Sequence, residues 1–221
     1  MLFHSYKKGF TILEMMVVIA IVTTMTGVLL GNLPNFRDRT TLQLVAQDVA
    51  VTIRQAQVFG IGTKIEYEAD GDAVFLGHGM YFCDPLIDLC RKNFLLFSDD
   101  NGNDTFDQIA DFNEPTADWT NLCDDSGECR DIYSITGNIE ICALKVNGTQ
   151  EAGGVGIAFD RVYSDAFIKE GSNPGNENNA KIYLRSKKDL KERVVTIYNT
   201  GGITVEAVPD DSRVCTASIN P

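Results

Sequence analysis

An acidic segment between Asn93 and Cys129 carries the residue types best suited to holding a cation. It contains ten acidic residues and neither lysine nor arginine. Within it, oxygen-bearing side chains occupy every second position, which is the ligand spacing of an EF-hand-like calcium loop: Asp99, Asn101, Asn103, Thr105 and Asp107. Calcium prefers such oxygen ligands, and the carboxylates would repel one another without a cation. The spacing therefore predicts calcium as a candidate ligand.

The match to a calcium loop is incomplete, so a second interpretation stays open. The glycine stands at Gly102 and not after the third ligand, where Asp104 lies, and the twelfth position is Ala110 instead of glutamate. Asp111 or Glu114 would have to supply a late carboxylate. The alternative is a solvated acidic loop closed by Asx turns.

Six cysteines follow the apolar amino-terminal stretch, and an even number predicts disulfides if this part of the chain is exported. They are Cys83, Cys90, Cys123, Cys129, Cys142 and Cys215. Close spacing favours the pairs Cys83–Cys90 and Cys123–Cys129, which leaves Cys142–Cys215. A structural zinc site is the alternative, although no C-x-x-C pair exists and the spacings are wide.

Signals for catalysis and for general nucleic-acid binding are weak. The chain has two histidines, His4 and His78, and lacks a nucleophile elbow, a P-loop and a dinucleotide fingerprint. We therefore predict that it is not an enzyme. A net charge of -12 argues against a general nucleic-acid binder. A basic cluster from Lys181 to Arg193 is interrupted by acidic residues, and it is interpreted as a solvated hairpin connection.

The amino-terminal stretch has the length of a membrane span. Met15 to Leu33 gives 19 residues without a charge, and these would form a helix of about 28 Å, which matches one bilayer core. Glu14 stands at the edge of this stretch, although a carboxylate costs roughly 2.5–3.5 kcal/mol at the bilayer centre. A simple anchor has no use for such a residue, so Glu14 predicts a partner charge.

The residues around Glu14 resemble a known signal. Lys7 to Glu14 reads KKGFTILE and is followed by MMVVIAIV; this sequence closely resembles the amino terminus of type IV prepilins and type II secretion pseudopilins. The resemblance implies that a membrane-embedded peptidase cleaves between Gly9 and Phe10 and N-methylates Phe10. Glu14 would be the fifth mature residue, which matches the family's characteristic glutamate.

The resemblance also implies partners and a location. The partners would be other pilin or pseudopilin subunits, the prepilin peptidase/N-methyltransferase, an inner-membrane assembly platform and, before assembly, membrane lipid. The chain would be a single-pass inner-membrane protein that later joins a pilus or pseudopilus, with its head outside the cytoplasm. Physical chemistry agrees, because cleavage creates an ammonium at Phe10 in a low dielectric. The Glu14 of a neighbouring subunit is its natural counter-charge.

The remaining sequence predicts one long helix followed by strands. Apolar residues at helical spacing form a stripe: Leu42, Val45, Val49, Ile53 and Ala56. We expect Pro34 to kink or locally melt this helix, and Gly60 and Gly62 to end it. Strands are predicted at 63–69, 73–76, 79–83, 93–97, 139–146, 155–159, 180–185, 193–198 and 203–208, with hairpin turns at Asp70-Gly71-Asp72 and at Asn199 to Gly202.

The predicted fold is therefore α+β and pilin-like, with a long amino-terminal helix packed on an antiparallel β-sheet domain. The expected parts are a leader (1–9), a transmembrane or filament-core helix (10–33), its amphipathic continuation (34–60) and a β-rich head (61–221). A mean hydropathy of -0.07 excludes a polytopic membrane protein. Removal of Lys7 and Lys8 with the leader would reduce the 19 basic residues to 17, against 31 acidic ones, and would change the net charge from -12 to -14.

Weaker cues are similar to the H-type pseudopilin and FimT-type group of minor pilins. They are the segments IRQAQ at 53–57 and FSDDNGN at 97–103 and the terminal hairpin. FimT-type DNA receptors carry basic carboxy-terminal residues, whereas Val208 to Pro221 has one arginine and two aspartates. The sequence thus predicts a structural subunit, with a pilus-displayed binding subunit, either a DNA receptor or an adhesin, as the alternative.

Overall fold

A computed structural model gives the fold of the chain. It describes residues 9–62, 65–67, 73–75, 77–100, 102–107, 123, 127–150, 153–159, 165–170, 177–188 and 190–215. Several positions named above lie outside these ranges, including Asn101, Ala110, Asp111, Glu114 and the leader residues 1–8.

One helix, α1, runs from Ile12 to Ile61 and has two unlike halves. Its first half is exposed, whereas its second half buries one face in the head: Leu42, Ala46, Val49, Ile53 and Ala56 are each at most 2% exposed. Ala46 takes the buried position next to Val45, and the predicted Val45 is only partly buried beside the core. The helix ends at Ile61, one residue beyond the predicted limit of 60, and Gly62 caps it with an N–H that donates to Val58 O.

The helical assignment is continuous through position 34. The local melting expected at Pro34 is therefore wrong, because a proline removes only one hydrogen bond of a ladder that continues on both sides. A kink at this position stays a prediction.

The described strands all pair antiparallel. A small hairpin pairs β1 (Ile65–Tyr67) with β2 (Ala73–Phe75). One five-stranded sheet has the order β5-β4-β3-β8-β9 and the other has the order β12-β11-β10-β6-β7. Their strands are β3 (Gly77–Phe82), β4 (Asn93–Asp99), β5 (Cys129–Ser134), β6 (Ile139–Val146), β7 (Thr149–Gln150), β8 (Val155–Phe159), β9 (Ala166–Glu170), β10 (Asn179–Ser186), β11 (Glu192–Tyr198) and β12 (Ile203–Ala207).

The main core joins α1 to both sheets. Strand residues of this core include Met80 and Phe82 on β3, Leu144 on β6 and Ile182 on β10, all fully buried. Gly60 brings the end of α1 against β8, because a Cβ at this position would stand 2.2 Å from Phe159 O. The predicted α+β class and helix-then-strands order are confirmed.

Three of the described strands were not predicted, and each lies at the edge of a sheet. They are β5, β7 and β9, whose sequences CRDIYS, TQ and AFIKE carry charged or polar residues. An edge strand pairs on one side only, so charges there are tolerated and discourage aggregation. This mixed composition hides such strands from a search for apolar alternation.

Candidate functional site

The amino-terminal segment presents the predicted cleavage bond openly. Gly9 and Phe10 precede the helix and are exposed, with Phe10 at 76%. Thr11 caps the helix, and its Oγ1 accepts a hydrogen bond from the backbone N–H of Glu14 at 3.3 Å. The bond between Gly9 and Phe10 thus lies outside helical structure, where a peptidase has access to the backbone.

The first half of α1 has the properties of a membrane span. Ile12–Gly31 has a mean hydropathy of 2.2, and none of it is buried inside the protein. The hydroxyl groups of its threonines donate to carbonyls of the preceding turn, for example Thr23 to Ile19 O at 2.8 Å and Thr26 to Val22 O at 2.7 Å. Polar groups satisfied in this way can enter lipid without an unpaired donor. Length and composition therefore suit a bilayer.

Glu14 occupies the first turn of this helix and is exposed. The amino end of a helix carries a partial positive charge, which stabilises a carboxylate there. The same end would bear the ammonium of a mature Phe10.

Residues 4–30 carry the prokaryotic N-terminal methylation motif. The match includes the Gly9–Phe10 bond, Glu14 and most of the apolar half of α1, and it is consistent with the type IV prepilin and pseudopilin family. No curated protein and no solved structure matches the chain. The motif supports a pilin-like or pseudopilin precursor, and the H-type or FimT-type subgroup stays a prediction.

The acidic loop after β4 is organised around Asp99, which is only 3% exposed. Its Oδ1 accepts the backbone N–H groups of Gly102 and Asn103 at 2.8 and 3.1 Å. Its Oδ2 accepts the N–H of Asp104 at 2.7 Å. Gly102 and Asp104 have positive φ angles of 72° and 55°, which turn the chain around this carboxylate. The first predicted calcium ligand is thus already bonded to the backbone of its own loop.

A lysine from another strand contacts two further predicted ligands. The ammonium of Lys169, on β9, donates to Asn103 O and, at 3.1 Å, to Thr105 Oγ1. Asn103 Nδ2 in turn donates to the carboxylate of Asp107 at 2.9 Å. Lys169 is 8% exposed, so its charge acts at short range in a region of low dielectric. This ammonium supplies a positive charge within the acidic loop.

Glu128, which immediately precedes β5, contacts the acidic loop at Asp107. Its Oε2 accepts the backbone N–H of Asp107 at 2.8 Å, and the residue is 7% exposed. Burial raises the pKa of Glu128 to about 7, and the carboxylates of Asp107 and Asp99 add to the increase. Hydrogen bonds from the backbone oppose this shift without cancelling it.

Calcium stays a prediction. Asp99, Asn103, Thr105 and Asp107 lie in one loop, and Asn101 falls outside the described residues. In the part of the chain that the structure describes, no group of three or more His, Cys, Asp or Glu side chains is arranged to hold a metal ion. Side-chain and backbone hydrogen bonds of the Asx type connect the loop residues, as in the alternative interpretation.

The six cysteines form three disulfides. Cys83 bonds to Cys90, Cys123 to Cys129 and Cys142 to Cys215, with Cα–Cα distances of 5.4, 4.7 and 5.6 Å. These distances lie in the usual range for disulfides. The third bond ties the carboxy-terminal segment to β6 across 73 residues. These are the same three pairs that the spacing favours, and the cysteines are therefore not available as zinc ligands.

Glu140 is a buried charge that the sequence reasoning missed. Its side chain is 1% exposed and lies 2.7 Å from Arg185 Nη2 and 3.0 Å from Lys187 Nζ. Burial alone would raise the pKa of Glu140, but hydrogen bonds and charges from these two cations lower it. Like Lys169 and Glu128, it is far in sequence from its partners, and no local motif points to it.

Proposed function

We propose that this chain is a structural subunit, of the minor type, in a type IV pilus or a type II secretion pseudopilus. It would be inserted as a prepilin, cleaved between Gly9 and Phe10, N-methylated at Phe10 and assembled through α1. The helix would form the filament core and the β-rich domain the exterior. The observation that carries the proposal is the methylation motif at residues 4–30 on a helix whose first half has no place in the chain's own core.

The two halves of α1 support separate roles. Exposed side chains such as Ile12, Met16 and Leu29, each more than two-thirds accessible, cannot face water without a large cost. Lipid covers such a surface before assembly, and the helices of other subunits cover it afterwards. The second half is fixed to the sheets and carries the head with it.

Glu14 would select the position of each incoming subunit. Pairing with the Phe10 ammonium of a neighbour removes two uncompensated charges from a medium of low dielectric. The pair forms in one axial register only, so it also fixes the spacing between subunits. A purely apolar helix surface would allow many registers with similar energy.

Processing is tested by the intact mass of the chain isolated from cells that contain a prepilin peptidase. We expect loss of residues 1–9 and the added mass of one methyl group on Phe10. Gly9→Val should abolish cleavage, because a side chain appears at the cleaved bond. Gly27→Val is the matched control, since a Cβ at either glycine meets nothing within 4 Å. An uncleaved wild-type chain would contradict the proposal.

Assembly is tested separately with Glu14→Ala. The variant should be processed largely as the wild type is, yet it should be depleted from sheared and purified filaments because the inter-subunit charge pair is lost. Asp48→Ala, on the exposed face of the second half of α1, is the control. Incorporation of Glu14→Ala at the wild-type level would show that this residue has no role in assembly.

The alternative of a DNA-binding display subunit receives less support. The acidic loop presents carboxylates at the end of the head farthest from the apolar span, and these would repel a phosphate backbone. We therefore place the structural role first.

A further inference from the structure

The turn between β10 and β11 lies beside α1, just beyond the apolar span. Lys188 Nζ stands 3.2 Å from Asp38 Oδ2, and Arg193 Nη2 donates to Gln43 Oε1 at 3.4 Å. Asp38 follows Gly31, the last residue of the span, by seven residues, or about 10 Å along a helix. The headgroup region of a bilayer is about 5–8 Å thick on each side. At about 10 Å, Asp38 stands just outside this layer. The long side chains of the lysines at the turn can bridge the remaining distance to the phosphate groups.

The residues at this turn, which we call the basic tip, are Lys187, Lys188, Leu190 and Lys191. The side chains of Lys187 and Lys188 are 49% and 53% exposed although each has a carboxylate neighbour. An ammonium has three donors, so one ion pair leaves it able to bind a phosphate oxygen as well. Arg37 and Arg39 add cations from α1 at the same height.

Leu190 adds an exposed apolar side chain to the basic tip. Its side chain is 48% exposed, and its φ of +53° lies in the left-handed region, which is unfavourable for a non-glycine residue. Hydrogen bonds of 3.1 Å from Leu190 N to Ser186 O and from Ser186 N to Lys191 O hold this conformation. In the sequence, Leu190 stands between Asp189 and Lys191, so the turn combines one exposed leucine and three lysines with one aspartate. An apolar side chain beside several lysines suits a lipid interface.

A groove beside the basic tip has room for a headgroup. It has a volume of about 330 Å³ and is lined by residues that include Arg39, Leu42, Lys191, Arg193 and Pro209. Its two carboxylates already have partners: Asp210 pairs with Lys191 and Arg213, and Glu192 accepts the N–H groups of Val214 and Cys215. The groove thus combines guanidinium and ammonium groups with an apolar floor.

We propose that the basic tip binds the headgroups of anionic phospholipids and so holds the head in a fixed orientation on the membrane before assembly. The inference rests on the membrane insertion proposed above. A chain with net charge -12 is repelled as a whole by an anionic surface, so docking requires that its cations, and not its carboxylates, face the membrane. The basic tip faces the membrane, whereas the acidic loop lies toward the far end of α1.

The test uses the full chain reconstituted in vesicles of phosphatidylcholine alone or with one-third phosphatidylglycerol. Trp119 is replaced by phenylalanine and Leu190 by tryptophan, so that the only indole in the chain reports on the basic tip. Flotation on a density gradient measures insertion of α1. Quenching of the indole by brominated lipid measures docking of the head.

We expect flotation with both lipids but strong quenching only in the anionic vesicles, with quenching lost at high salt. Lys188→Gln should lower the ratio of docked to free heads about fivefold, and K187Q/K188Q/K191Q should abolish docking. Lys181→Gln removes one charge elsewhere on β10 and should change nothing. Thermal melts of each variant separate loss of docking from loss of folding.

Equal quenching in both lipids, or quenching that the triple variant retains, would overturn the inference and leave the anchor intact. Absence of flotation would overturn the anchor, and the inference with it. Salt-dependent binding of duplex DNA without lipid docking, lost in the triple variant, would assign the surface to nucleic acid instead.

Discussion

The two ends of the head hold buried carboxylates in different ways. At the end near the apolar span, Glu140 is held by side-chain cations that come from β10 and the turn after it. At the far end, where Phe59 of α1 meets His78 of β3 with ring centroids 5.9 Å apart, Asp99 is held by backbone N–H groups of its own loop. Asp38 and Phe59, which mark the two ends of the head on α1, are about 32 Å apart along the helix.

Glu140 is thus stabilised by residues distant in the sequence, whereas Asp99 is stabilised by its immediate neighbours. The Glu140 cluster exists only when β6 and β10 pair in register, because Arg185 lies directly across from Glu140. The Asp99 loop closes over five residues and needs little beyond its own sequence. The near end therefore depends on the sheet. The far end depends mainly on turn chemistry, with Lys169 and Arg130, which pairs with Asp100 at 3.0 Å, as its long-range cations.

The largest effect is expected for Glu140→Ala. The change leaves the buried guanidinium of Arg185, whose side chain is 11% exposed, without its carboxylate, and breaking a buried pair from one side costs about 3–5 kcal/mol. Urea unfolding measures the loss. Asp210→Ala is the control, because it removes an exposed carboxylate from a surface ion pair. A loss no greater than that of the control would remove the distinction between the two kinds of carboxylate.

Asp99→Ala tests the far end and should cost about 2–3 kcal/mol. Three backbone N–H groups lose a charged acceptor at once, and those of the exposed residues Gly102 and Asn103 can turn to water, which limits the loss. Urea unfolding again gives the free energy. Asp100→Ala, next in sequence but with a 43% exposed side chain, should cost no more than about 1 kcal/mol. Similar losses for both variants would mean that Asp99 does not organise the loop.

Glu128→Gln should change how stability depends on pH. With a pKa of about 7 in the folded chain and an ordinary value of 4.5, Glu128 binds more protons in the folded state between these limits. Its contribution to stability therefore falls as pH rises through this window. The glutamine variant does not titrate, so its stability relative to wild type should increase from pH 5 to pH 8.

Urea unfolding at four pH values measures this difference directly, and other titrating groups cancel in the comparison. Glu206→Gln, an exposed position on β12, is the control and should give no pH-dependent difference. A constant difference between Glu128→Gln and wild type over this range would show that Glu128 titrates as an ordinary glutamate.

Calcium should give the smallest effect. Extracellular calcium modules bind with dissociation constants of about 0.1–1 mM, so 1 mM calcium would stabilise the fold by about 0.4–1.4 kcal/mol. Thermal melts in calcium and in chelator measure it, with magnesium as the ionic-strength control. Asp107→Asn should reduce the shift. An unchanged melting temperature at millimolar calcium would show that this loop does not bind calcium.

The sequence predicted most of the fold because the central strands carry apolar runs that need no context. The ranges 139–146 and 155–159 coincide with β6 and β8. The edge strands β5, β7 and β9 were not predicted, because edge positions tolerate charged residues that interrupt the apolar pattern. The sequence also predicted the acidic loop that begins at Asp99. It did not predict that Lys169 contacts this loop, because Lys169 lies on β9, which was itself not predicted.

By itself, the sequence determined the amino-terminal signal, the apolar span and the helix-then-strands order. These are properties of neighbouring residues, so they survive without tertiary context. Only the tertiary structure decided that Lys188 meets Asp38, that Arg185 meets Glu140 and that Lys169 enters the acidic loop. Such pairs join residues tens to more than a hundred positions apart, and strand register and helix packing, not local pattern, bring them together.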